Sequence, residues 1–193
     1  YDEIPTAVPR VHPSEAGTPG LLKTVDLLRD AAVTGGLYEA INYGFLSTED
    51  LRKARVSTDA VPLANPLSEE RAVMRTSLLP GLTGAAARAQ RHGAREARLF
   101  EIARTFEPTG DALPREETTL AIVLAGDRSG WIGGDEPFDL YDGKGAVEAI
   151  LDGVFARVPA LAPGEVPAFM HPKRSALVML ESKPVGFVGE IHP

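Results

Sequence analysis

Apolar residues first recur at the helical interval between positions 19 and 34, where Leu21, Val25, Leu28 and Ala32 share one face. Thr18-Pro19 supplies a start, because a threonine hydroxyl accepts an orphan N–H and proline at the first helical position gives up no needed bond. Gly35 or Gly36 supplies the stop. From Tyr38 to Leu46 the pattern becomes an approximate alternation and predicts a strand, with Tyr38, Ala40 and Asn42 on one side and Ile41, Tyr43 and Phe45 on the other. A short helix follows near 48–54, then an extended piece from Ala60 to Ala64. Ser68 with Glu69 and Glu70 reads as a further helix start, its carboxylates suiting the positive end of the dipole. Pro80-Gly81 opens an alanine-rich helix to about His92, whose Ala85, Ala86 and Ala89 let another backbone come close.

Beyond Arg98 the period is that of strands. Leu99 to Phe106 and Thr119 to Ala125 form an antiparallel pair around the turn-rich Pro108 to Arg115, and Trp131 to Gly134 is a loop. Gly143 to Val158 is a helix with Val147, Ile150, Leu151 and Val154 on its apolar side. Ala176 to Leu180 and Val185 to Ile191 flank Ser182-Lys183-Pro184 as a hairpin. The class that results is α+β, a largely antiparallel sheet flanked by helices. Residues 1–18 lack periodicity and read as a linker into one core domain over 19–193.

Composition narrows this picture. The chain has 193 residues, room for one full-sized core at roughly 100 to 200 residues per domain. It does not open with Met, which predicts a piece of something longer. Zero cysteines remove disulfides, thiolate zinc sites and cysteine nucleophiles together, and fit a reducing cytoplasm. No apolar run reaches the roughly 18 to 20 residues of a membrane helix. The net charge of −7 opposes a general nucleic-acid coat, which rests on phosphate neutralisation by Lys and Arg.

Candidate chemistry is thin. His12, His92, His171 and His192 show no metal-ligand spacing, and Ser77 and Ser175 stand outside any GxSxG elbow. Asp135, Glu136, Asp139 and Asp142 read as a solvated loop entering a helix. Gly143-Lys144-Gly145 ahead of a helix would suit an anion, although helix entry alone explains the glycines. The densest basic stretch, Arg88, Arg91, His92, Arg95 and Arg98, fits a solvated helix end better than an RNA track. The residues thus predict no catalytic and no metal-binding side chains.

The order of several blocks is more specific. Tyr1-Asp2-Glu3-Ile4-Pro5, Gly36 to Tyr43, Asn65-Pro66-Leu67-Ser68 leading to Leu78-Leu79-Pro80-Gly81-Leu82, Leu99-Phe100-Glu101-Ile102-Ala103-Arg104-Thr105-Phe106, Asp142-Gly143-Lys144-Gly145, His171-Pro172 and Gly189 to Pro193 follow one another across the chain. The set resembles the bacterial phenylalanyl-tRNA synthetase beta-subunit family. That resemblance implies a class II synthetase-like core in the subunit that does not aminoacylate. In the catalytic alpha subunit, the strand equivalent to Ile102–Phe106 leads into an arginine that grips ATP and the amino-acid carboxylate. Here Glu107 and Pro108 follow, and a carboxylate repels a triphosphate where a guanidinium fork would bind it. Ala103 stands where the family usually has glycine, and Gly143 where it often has a larger residue.

The resemblance further implies that the domain docks the alpha subunit in a heterotetramer and supports ATP-dependent charging of tRNA with phenylalanine. ATP and magnesium then serve the whole enzyme, with no cofactor in this piece. The helix from Pro19 to Thr34 is the expected docking element, with Leu21, Leu22, Val25 and Leu28 at the interface; without alpha, its spare apolar face should drive self-association. Arg88, Arg91 and Arg95 are the expected minor tRNA contacts. Two other readings stay open: an active stand-alone adenylate-forming enzyme on the same core, and a regulatory synthetase paralogue.

Overall fold

The computed structural model describes residues 2, 3, 7, 19–111, 113–128 and 135–192. Most of the expected 1–18 linker, His12 and the Trp131–Gly134 loop lie outside the described residues. The chain runs α1 (Gly20–Thr34), β1 (Tyr38–Glu39), β2 (Phe45–Leu46), α2 (Thr48–Lys53), a 3-10 turn (Glu69–Arg71), β3 (Val73–Met74) and α3 (Leu79–Arg91). It continues through β4 (Glu96–Glu107), β5 (Arg115–Arg128), β6 (Glu136–Pro137), α4 (Leu140–Phe155), β7 (Ala160–Ala162), β8 (Met170–Leu180) and β9 (Lys183–Ile191).

The long β4–β5 hairpin is the centre. Its antiparallel register pairs Glu96 with Gly126 at one end and Glu107 with Arg115 at the other. β1 joins β4 in parallel and β6 joins β5, giving the order β1-β4-β5-β6. Both faces of this sheet are covered, so every residue of β4 except Arg104 and Glu107 is buried or half-buried. On one face Leu78, Leu82 and Ala86 at the start and along α3 pack against Ala97 and Val123, with Leu99, Ala103, Ala121 and Ala125 beside them. On the other, Ala32 of α1, Leu37 and Ile150 of α4 close around Phe100 with Ile102, Leu120, Ile122 and Leu124. The layers are therefore α3, sheet, then α1 with α4. A second sheet, β7-β8-β9, lies against α4. This is the α+β, largely antiparallel architecture that the pattern predicts.

Several elements differ from the sequence reading, each for a physical reason. α4 starts at Leu140, because the Asp139 carboxylate accepts from the Tyr141 and Asp142 N–H groups while Asp142 returns a bond to the Asp139 N–H. Gly143-Lys144-Gly145 therefore lies inside the helix, and the anion reading loses its helix N-terminus. The β8–β9 turn is Glu181-Ser182, both at positive φ as a two-residue hairpin loop requires, so Lys183 and Pro184 belong to β9. Ser68 opens only the short 3-10 turn, and the piece expected at 60–64 makes a single bridge, Pro62 to Val73. The strand expected over Tyr38–Leu46 is split into β1 and β2. At its middle the Asn42 N–H donates to the side chain of Glu101 (3.3 Å) rather than to a ladder carbonyl.

Candidate functional site

Two regions stand out, the split strand that follows β1 and the far end of β4. The first is built on the split strand. The Ala40 N–H donates to the Phe100 carbonyl (2.7 Å), the Asn42 N–H to Glu101, and the Gly44 carbonyl accepts from the Arg75 N–H (3.0 Å). Anchoring every second residue inward turns the odd positions outward. Ile41 is 92% exposed and Tyr43 68%, with Phe45 beside them and Tyr38 at the β1 edge. The Arg71 guanidinium lies 3.6 Å over the Tyr43 ring and fixes it from one side.

Beneath this strip is a buried polar cluster. Glu101, 3% exposed, accepts from Arg75 Nη1 (2.7 Å) on Oε1 and from Asn42 Nδ2 (2.8 Å) on Oε2. Arg75 Nε donates in turn to the Arg104 carbonyl (2.8 Å). A Cβ at Gly81 would come within 2.9 Å of the Asn42 Cβ, so the first turn of α3 closes over the strip's inner side only because position 81 is glycine.

α1 continues the apolar surface. Arg29 Nε binds both Glu39 oxygens at 2.9 and 3.1 Å, tying the helix to β1. That hydrogen bond raises the guanidinium pKa above its ordinary value. A shallow hollow of about 240 Å³ lined by Val33, Gly36, Leu37, Tyr38 and Glu39 joins the two elements. The structure divides the row expected at the interface. Leu21 and Leu22 are exposed, together with Leu27 and Val33, whereas Leu28 packs on the Phe100 cluster and Val25 is half-buried.

The second region is the loop end of the β4–β5 hairpin, where Glu107 meets Arg115. A hollow of about 170 Å³ is lined by Asp59, Thr105, Glu107, Arg115 and Glu117, among others. Its one guanidinium, Arg115, is paired with Glu107, which leaves Asp59 and Glu117 to set a negative field. The acidic group further along the chain is already engaged: Asp135 with Arg95, Glu136 and Asp142 with Arg128 at 2.6 and 2.9 Å, and Asp139 as the α4 cap. Asp142 is the main cause of the raised Arg128 pKa. No set of three His, Cys, Asp or Glu side chains among the described residues is placed to hold a metal ion.

Comparison with known proteins decides the family. Residues 4–193 match the model of the phenylalanyl tRNA synthetase beta chain CLM domain. This chain belongs to that family. A phenylalanine–tRNA ligase beta subunit of Syntrophotalea carbinolica is 35% identical over 201 residues, covering 100% of this chain and 25% of its own length. The beta subunit of Novosphingobium aromaticivorans is 40% identical over 171 residues, covering 86% and 22%. The chain thus spans about a quarter of these curated relatives. A pyrrolysyl tRNA synthetase of Desulfitobacterium hafniense superposes with TM-score 0.60 at 17% identity, covering 83% of this chain and 53% of that one. That likeness concerns the fold, and it agrees with the synthetase-like core.

Within the CLM domain the other candidate residues take local roles. Arg88 and Arg91 are exposed in the last turn of α3, where cations favour the dipole, and have no carboxylate partner among the described residues. Ser77 Oγ accepts from the Leu79 N–H (3.2 Å), and Ser175 Oγ donates to the His171 carbonyl (2.7 Å). His92 caps α3, and the His171 ring accepts from the Lys173 N–H (3.1 Å). Asn42, Arg75 and Glu101 were not singled out by sequence. The available signal was Glu101 interrupting the inward row Ala97, Leu99, Ala103 of β4.

Proposed function

We propose that this CLM domain is a non-catalytic core of a phenylalanine–tRNA ligase beta subunit, which docks the catalytic alpha subunit and supports ATP-dependent charging of tRNA with phenylalanine. One contrast carries the reading: spare apolar surface lies on the α1–β1 side, whereas the loop end of the hairpin is acidic. A triphosphate needs pre-organised cations, and Arg115 is already neutralised by Glu107. The residues here do not fit a magnesium nucleotide, so ATP and magnesium are assigned to the whole enzyme.

Docking uses the exposed α1 residues Leu21 and Leu22 with the neighbouring β1 edge. Aromatic and arginine side chains suit the centre of a protein interface better than a nucleic-acid track. tRNA meets the assembled enzyme, with Arg88 and Arg91 as minor phosphate contacts and Arg95 weakened by its pairing with Asp135. No helix among the described residues is long and apolar enough to cross a membrane, and we place the heterotetramer in the cytoplasm. Pyrophosphate exchange tests the first half: the chain alone should not form phenylalanyl-adenylate, and exchange above a no-enzyme blank would favour the stand-alone enzyme. Co-purification with alpha tests the second half.

A further inference from the structure

We infer that Glu101 is a positioning residue for subunit docking: through Asn42 it holds Ile41 and Tyr43 outward, which with Phe45 of β2 make a preset apolar strip. The inference rests on the proposed docking of the alpha subunit and assigns that contact a centre, which sequence periodicity had put on α1.

The geometry argues it in three steps. First, the strip has backbone anchors at Ala40 and Gly44, and Phe45 pairs with Met74 of β3; between Ala40 and Gly44 the hold comes from the Glu101 carboxylate, at the Asn42 N–H and Nδ2. Removing that carboxylate frees the middle of the segment to rotate, and a one-residue slip would carry Ile41 and Tyr43 inward. Second, the carboxylate is itself held by Arg75, whose backbone N–H and carbonyl bond Gly44 and the Phe106 N–H (2.9 Å). The cluster therefore joins the strip to the sheet. Third, the strip is a ridge and not a cavity, which fits a protein face better than a small ligand. The turn beside β2 carries exposed Glu69 and Glu70, which disfavour a polyanion. The hollow lined by Val33, Gly36, Leu37, Tyr38 and Glu39 lies between the α1 surface already assigned to alpha and the start of the segment that carries the strip, so one partner covers both. A strip held rigid before contact loses less freedom on association.

The experiment uses the complete beta subunit with its alpha partner. Arg75→Met with Glu101→Leu replaces the buried pair by apolar side chains, a change of the kind that leaves stability nearly intact. Hydrogen exchange in the free beta subunit should then speed up by at least about tenfold at residues 41–45 while α3 and β4 stay protected. Affinity for alpha should fall by at least about tenfold. Asn42→Ala, which keeps the buried pair, should produce both effects and decides the matter if the double variant does not fold. Unchanged exchange at 41–45, or faster exchange with full affinity, would overturn the inference. Ile41→Glu separates the two claims. If it leaves affinity intact, the docking reading itself fails; if it weakens affinity while the anchor variants do not, only the role of Glu101 fails.

Discussion

Glu101 and Glu107 sit six positions apart on β4, and both pair with an arginine, yet they do opposite things. Glu101 is 3% exposed, and its oxygens are shared between Arg75 and Asn42. Glu107 is 61% exposed at the side chain and meets Arg115 beside the hairpin loop in water. The same chemical pair organises a surface when it is buried and merely sets a local field when it is solvated. Desolvation makes the first pair strict, because neither charge has a second counter-charge to turn to.

The sharpest way to break this comparison is to remove one charge at each place. Glu101→Gln leaves the Arg75 guanidinium buried without its counter-charge and should cost about 3 to 5 kcal/mol in urea denaturation. A loss below about 1 kcal/mol would place the site effectively in water. On the surface, Leu22→Glu should abolish co-purification of the beta subunit with alpha while the melting temperature stays within a few degrees, because a carboxylate buried at an interface without a partner is costly. Unfolding would assign that side of α1 to the core.

Smaller effects sharpen the other half. Replacing Arg88, Arg91 and Arg95 together by glutamine should lower tRNA affinity of the whole enzyme by less than about tenfold at physiological salt, and a hundredfold loss with a flatter salt slope would reveal a true phosphate track. Glu107→Gln should change stability by about 0 to 1 kcal/mol, the range of exposed pairs, as read by the same denaturation. Least of all is the acid response of α2. The Arg52 guanidinium, hydrogen-bonded to Glu49, holds that carboxyl below the usual carboxylate range. Its contribution is present above the unfolded-state pKa and is lost as pH falls through the lowered folded value. Glu49→Gln should therefore change the melting temperature slightly at neutral pH and not at all in strong acid.

The same contrast explains what was legible in the sequence. β4, β5, α1 and α3 follow from periodicity because their burial is set by side-chain type alone. The grouping of Ala40 and Asn42 against Ile41, Tyr43 and Phe45 was legible too, although Tyr38, grouped with Ala40, is exposed. The break of that segment was not, since it depends on a carboxylate 59 residues away from Asn42. The α4 start was misplaced because Asp139 and Asp142 read as scattered acids until their reciprocal bonds were seen. The interface row divided for a similar reason: periodicity groups Leu21 with Leu28, but only Leu28 has a core above it. Short, local patterns carry the fold, and long-range polar contacts carry the site.

One measurement tests the central claim most directly: the affinity of the alpha subunit for complete beta subunits carrying either Ile41→Glu or Glu107→Gln. The account predicts a loss of at least about a hundredfold for the strip variant, as at an interface centre, and less than about twofold for the Glu107 variant. Equal affinities, or a larger loss at Glu107, would contradict it.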